Sequence, residues 1–155
     1  MLDASIRERF VETAVKHLGY PSQLYRNPKT GKDPRNGFDC SGFIVFLLEL
    51  VGFPNPQELR HTNELFDHFG VSVHIELRQR GDLVFFSRNG LLPTHVGILA
   101  SPSTYIHAPG KKETSVELAT LIFSDIEERS GRLYLSNPIG IKRLSIANGR
   151  YQKIL

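Results

Sequence analysis

Hydrophobic residues recur at helical spacing through the first seventy or so positions and, after Gly81, come in short β-rich runs bounded by turn residues. That switch of period limits the chain to helices first and a sheet second. Ile6, Phe10, Ala14 and Leu18 share one helical face, behind a Ser5-x-x-Glu8 capping box and ahead of Gly19 and Pro21, which predicts a first helix. From Tyr20 to Phe38 the residues Pro21, Pro28, Gly31, Pro34, Asn36 and Gly37 interrupt the chain too often for regular structure and predict a long surface loop. Asp39 is a good N-cap for the run Cys40 to Val51, which Gly52 and Pro54 end. That run is apolar on nearly every side, as in a helix buried on most faces. A third helix is predicted over Pro56 to Phe69, with Leu59, Thr62, Phe66 and Phe69 on one stripe.

Asp82 to Phe86, His95 to Leu99 and Thr104 to His107 then read as consecutive strands. Ser115 to Leu118, Arg132 to Leu135 and Ile139 to Ile146 are weaker strand candidates, and Ala119 to Arg129 is open to helix or irregular structure. The resulting fold class is α+β, with an antiparallel sheet packed on the buried second helix. At 155 residues and 40% apolar content, the length suits one domain spanning residues 1–155 with its own core. Phe43 to Leu48 is the longest apolar stretch, far short of the ~20 residues of a transmembrane helix.

The mixed-charge start, Met1 to Arg9, has no apolar core of a secretory signal. The expected locations are therefore the cytoplasm, export by another route, or the cell envelope as a mature fragment. A net charge of +3 is too small to select a polyanionic partner, and the basic stripe of a nucleic-acid binder is missing. Glu127-Glu128-Arg129 and Lys142-Arg143 are expected to be solvated charges.

The single cysteine excludes an internal disulfide, so its position carries the information. In the first turn of a helix a thiolate gains from free N–H groups and partial positive charge, and Ser41-Gly42 would let a substrate backbone approach. A nucleophilic thiol needs a base, and histidine suits that task near neutral pH. Of six histidines, His17, His61, His68 and His74 lie on predicted helices or polar connections and are assigned to the solvated surface. His95 and His107 are embedded in strands. A hairpin centred on Ser101 would oppose them directly, so that His107 orients one nitrogen of His95 and the other faces Cys40.

Four segments, Phe38-Asp39-Cys40-Ser41-Gly42-Phe43, Gly81-Asp82-Leu83-Val84-Phe85-Phe86, His95-Val96-Gly97-Ile98 and Ile106-His107-Ala108-Pro109, together resemble the NlpC family of bacterial cell-wall peptidases. The resemblance implies a compact papain-like fold and no cofactor. It implies hydrolysis of an amide in peptidoglycan stem peptides, usually between the γ-carboxyl of D-glutamate and a diamino acid. Cys40 would form an acyl-enzyme and His95 would take and return the proton. Family members also use a tyrosine from the loop before the cysteine near the oxyanion, for which Tyr25 is the candidate. Asp39 and Ser41 would touch substrate, with a free amino terminus as a partner for the Asp39 carboxylate. The family's aromatic-glycine-glycine stretch before the cysteine is replaced here by Leu24-Tyr25-Arg26-Asn27-Pro28, and Lys29 to Arg35 resembles an insertion.

Rival functions are an amidase or acyltransferase on the same fold and a non-catalytic domain that binds wall fragments. A zinc site built from Cys40, His95 and His107 has the right ligand types but lacks zinc spacing motifs.

Overall fold

The structure is a computed structural model and describes residues 2–22, 32–33, 37–88, 90–111, 113–123, 127–129, 132–134, 138–147 and 150–151. Three α-helices, α1 (Leu2–Lys16), α2 (Cys40–Leu50) and α3 (Thr62–His68), precede most of the sheet. The strands are β1 (Pro21–Ser22), β2 (Lys32–Asp33), β3 (Gly37–Phe38), β4 (Val71–Val73), β5 (Leu83–Phe86), β6 (His95–Ser101) and β7 (Thr104–His107). They continue as β8 (Thr114–Ser115), β9 (Glu117–Thr120), β10 (Glu127–Arg129), β11 (Arg132–Tyr134), β12 (Gly140–Arg143), β13 (Ile146–Ala147) and β14 (Arg150–Tyr151). Six of them form an antiparallel sheet in the order β4-β12-β5-β6-β7-β9, which leaves β9 at an edge. Helices followed by an antiparallel sheet make the fold α+β, as the change of period predicts.

α2 has almost no polar face, so it is sunk into the molecule against α1 and β6. Phe43, Ile44, Leu47 and Leu48 are fully buried, each contributing about 1.5–3 kcal/mol relative to exposure. They share a core with Phe10, Val11 and Ala14 of α1 and with Leu83, Phe85, Val96, Ile98 and Ile106 of the sheet. A second cluster uses alternate positions of the same strands, Val84, Phe86, Leu99 and Tyr105, together with Ile141 of β12 and Leu121 just after β9.

Several expectations are corrected. α1 begins at Leu2, so Ser5 and Glu8 lie inside the helix rather than at its cap, and Leu18 falls beyond its end, exposed. The segment predicted as a loop contains β1, β2 and β3, which pair with one another and with β8. The predicted third helix is split: a 3-10 turn over Pro56–Leu59 is followed by Arg60 and an extended His61 (φ −102°, ψ 156°) before α3 starts. Arg60, at the break, forms an ion pair with Asp39 at 2.7 Å. Lys142 and Arg143 are not simply solvated charges, the first being buried and the second partly buried. Lys142 is buried, with Nζ donating to Ser72 Oγ and lying over the Phe66 ring, and desolvation lowers its pKa. Arg143 donates twice to the fully buried Asp82, at 2.7 and 2.8 Å, and those hydrogen bonds raise the guanidinium pKa further.

Candidate active site

Cys40 is the first residue of α2 and half-buried, packed on the core that includes Phe38, Val96 and Ala108. Asp39 caps the helix as its sequence position predicts: its backbone is extended and Oδ1 accepts from the Gly42 N–H at 2.6 Å. The same carboxylate accepts two hydrogen bonds from Arg60, at 2.7 and 3.1 Å, and Arg60 also donates to Ser41 Oγ at 3.0 Å. Arg60 is only 5% exposed, so Asp39, Arg60 and Ser41 form one desolvated cluster beside the thiol. The negative charge that a substrate amino group was expected to meet at Asp39 is thus already matched by a guanidinium. Thr62, assigned by spacing to an apolar stripe, places its hydroxyl 3.5 Å from Cys40 Sγ.

The buried hydroxyl of Ser22 donates to the Phe38 carbonyl at 2.8 Å and accepts from the Gly110 N–H at 2.8 Å. It thereby joins the segment entering α2 to the segment leaving β7. α2 in turn lies against β6, the strand that begins at His95.

His95 and His107 are both buried, and His95 Nε2 and His107 Nδ1 share a 2.7 Å hydrogen bond with the rings perpendicular, at 89°. The bond forms in a register that differs from the expected one. β6 and β7 pair Ile98 with Ile106 and Leu99 with Tyr105, with an irregularity between Leu99 and Ser101. Continuing that ladder puts His107 opposite Gly97, so His95 is its diagonal neighbour. The hairpin turns at Pro102-Ser103, not at Ser101, because Ser101 pairs with Thr104 and its Oγ accepts from the Thr104 N–H. Gly97 makes the diagonal contact possible: a Cβ there would stand 2.8 Å from Tyr105 Cδ2 and 3.3 Å from His107 Cβ.

On its other side His107 reaches β9. His107 pairs with Glu117 in the ladder, and His107 Nε2 lies 3.0 Å from Glu117 Oε1. His95, His107 and Glu117 therefore form a continuous relay across three neighbouring strands. Of the remaining histidines, His61, His68 and His74 are exposed as expected, whereas His17 is half-buried between Tyr20 and Phe46, with ring centroids at 4.6 and 5.0 Å. Tyr25 lies outside the described residues.

Among the described residues no group of three or more His, Cys, Asp or Glu side chains is placed to hold a metal ion. The facing nitrogens of the two imidazoles are engaged with each other, which opposes the zinc site weighed from sequence. No helix among the described residues is long and apolar enough to cross a membrane.

Three residues of this neighbourhood were not singled out in the sequence: Arg60, Thr62 and Glu117. Arg60 had one signal, a lone cation between Leu59 and the polar His61-Thr62 in a segment expected to be helical. Glu117 had none, because the connection from Ala108 to Val116 does not fix which residue of the next strand faces His107.

The model of the NlpC/P60 family matches residues 26–129, more than half of the chain. Murein DD-endopeptidase MepH of Escherichia coli is 36% identical over 83 residues, covering 51% of this chain and 29% of that protein. A gamma-D-glutamyl-L-lysine dipeptidyl-peptidase of Bacillus cereus is 35% identical over 103 residues, covering 64% of this chain and 29% of that protein. The chain thus spans less than a third of the length of these two relatives. A solved NlpC/P60 family protein from Bacillus cereus superposes with a TM-score of 0.68 at 27% identity, over 88% of this chain and 39% of that one. The α+β architecture is therefore the papain-like one, and the chain belongs to the NlpC/P60 family.

Proposed function

We propose that this chain is a cysteine peptidase that hydrolyses an amide bond in peptidoglycan stem peptides, with Cys40 as nucleophile, His95 as base and His107 as the group that orients the base. The observation that carries this proposal is the 2.7 Å bond between two buried imidazoles, the first of which begins the strand against which the cysteine-bearing helix packs. His95 takes the thiol proton and the thiolate attacks the carbonyl carbon. The tetrahedral intermediate collapses to an acyl-enzyme as His95 returns the proton to the departing amine. Water, deprotonated by His95, then releases the carboxylate product and restores the thiol.

The N–H groups at the open end of α2 are natural donors to the developing oxyanion, and Tyr25 is our candidate for a further donor. Asp39 and Ser41 are assigned to substrate contact, with Arg60 holding both in place. Both side chains are already engaged, the Asp39 carboxylate by Arg60 and the Gly42 N–H and Ser41 Oγ by Arg60, so a contact with the stem peptide would be made by atoms that Arg60 also holds. The bond between D-glutamate, through its γ-carboxyl, and the diamino acid is the preferred target. Support comes from the name of the Bacillus cereus relative, while that of the Escherichia coli relative names a different bond.

Digestion of purified peptidoglycan and defined stem peptides, with products identified by mass, tests the proposal. Cys40→Ala and His95→Ala are expected to abolish cleavage and His107→Ala to weaken it. Full activity of Cys40→Ala would refute the mechanism. Products of acyl transfer instead of hydrolysis would favour the acyltransferase alternative.

A further inference from the structure

We propose that Glu117 is a positioning residue that determines which nitrogen of His95 carries the proton, an inference that deepens the assignment of Cys40 and His95 as thiol and base and rests on it. Glu117 faces His107 directly across the β7–β9 ladder, with Oε1 3.0 Å from His107 Nε2. An ionised carboxylate has no hydrogen to give, so His107 Nε2 must donate. In a neutral imidazole the second nitrogen is then an acceptor. His107 Nδ1 therefore accepts across the 2.7 Å contact, and His95 Nε2 donates. What remains as the basic atom of His95 is Nδ1. A single carboxylate thus sets the direction of two successive hydrogen bonds and the identity of the basic nitrogen at the far end.

Without that carboxylate the order can reverse. His107 can protonate on Nδ1 and donate to His95 Nε2, which shifts the His95 hydrogen to Nδ1. A ring in that tautomer cannot take a proton from a thiol at Nδ1. The placement of Glu117 suits this directional role. Its side chain is 42% exposed whereas His107 is fully buried, so the carboxylate keeps part of its hydration while its acceptor oxygen enters the site.

Nitrogen-15 NMR of the imidazoles tests the inference, in full-length protein carrying Cys40→Ala and near pH 8, where an ordinary imidazole is neutral. With Glu117 present, His95 and His107 are each expected to show a protonated Nε2 and a pyridine-like Nδ1. Glu117→Gln can turn either its oxygen or its N–H groups toward His107 Nε2 and should hold that pattern only in part, whereas Glu117→Leu should lose it. With Cys40 intact, the leucine variant should react with iodoacetamide at least about tenfold more slowly than wild type, roughly the effect of one lost hydrogen bond at a charged group, and the glutamine variant at a rate between the two. A protonated Nδ1 on His107 with Glu117 present would overturn the proposal, and that result needs no folded variant. Retention of both tautomers in Glu117→Leu would overturn it as well. These readouts use no wall peptide, so failure of wild-type protein to cleave stem peptides would count against the proposed function and leave the tautomer result standing.

Discussion

Replacing Gly97 by alanine probes how the two histidines are brought together. The added Cβ would stand 2.8 Å from Tyr105 Cδ2, about 0.6 Å inside the 3.4 Å where ordinary contact begins, and 3.1 Å from the Ile106 carbonyl oxygen. The carbonyl belongs to the sheet backbone and yields little. The Tyr105 ring is buried, with Phe86 and His107 at centroid distances of 5.1 and 5.0 Å, so it cannot swing aside alone. Relief must come from sliding Tyr105 and His107 together, which stretches the hydrogen bond to His95. Overpacking of this kind costs about 1–3 kcal/mol. The control is Gly19→Ala, where nothing lies within 4 Å of the new Cβ but φ is +89°. Backbone strain there costs about 1–2 kcal/mol. Urea unfolding should therefore rank the two variants as similarly destabilised. Their chemistry should differ: iodoacetamide modification of Cys40 and stem-peptide cleavage should fall about three- to tenfold in Gly97→Ala, the worth of one weakened hydrogen bond, and stay near wild type in Gly19→Ala. Equal reaction rates in the two variants would refute the claim that Gly97 is what admits the diagonal pair.

Arg60→Met should destabilise the protein by up to about 3–5 kcal/mol in urea unfolding, because it leaves the Asp39 carboxylate desolvated without its cation. Adding Asp39→Asn to that variant should recover part of the loss, and no recovery would mean that Arg60 acts through packing rather than charge. Lys142→Met is a test of pH dependence. Burial holds the Lys142 pKa below its ordinary value, so the folded state binds fewer protons than the unfolded state between the two. Wild-type stability relative to Lys142→Met should therefore be lowest near neutrality and rise as pH climbs through the folded pKa toward the unfolded value of about 10.4. A difference that does not change between pH 7 and 10 in paired urea titrations would contradict this burial cost.

How far the sequence disclosed the molecule follows from what each residue depends on. Asp39 as a cap and α2 as a buried rod are set by neighbours within a few positions, and both were legible. The strands β5, β6 and β7 were legible for the same reason, through dense β-branched and aromatic runs. The His95–His107 pair was found in kind but not in register, because the irregularity after Leu99 moves the turn and nothing local announces it. The short strands before Asp39 have too few residues to show alternation and exist only through their partners. Lys142 was misjudged and Arg60 passed over for one physical reason. Charge suggests solvent, and only tertiary contacts reveal that a long side chain has been folded inward.

The placement of Ser22 bears on when the chain becomes reactive. The two imidazoles and the carboxylate come from β6, β7 and β9, a nearly continuous meander able to assemble from nearby residues. The thiol belongs to a distant stretch, and one hydroxyl stitches the two halves at Phe38 and Gly110. Joining residues so far apart in the chain costs more loop-closure entropy than pairing neighbouring strands. Under the proposed mechanism the thiol therefore meets its base only in a chain whose seam has closed.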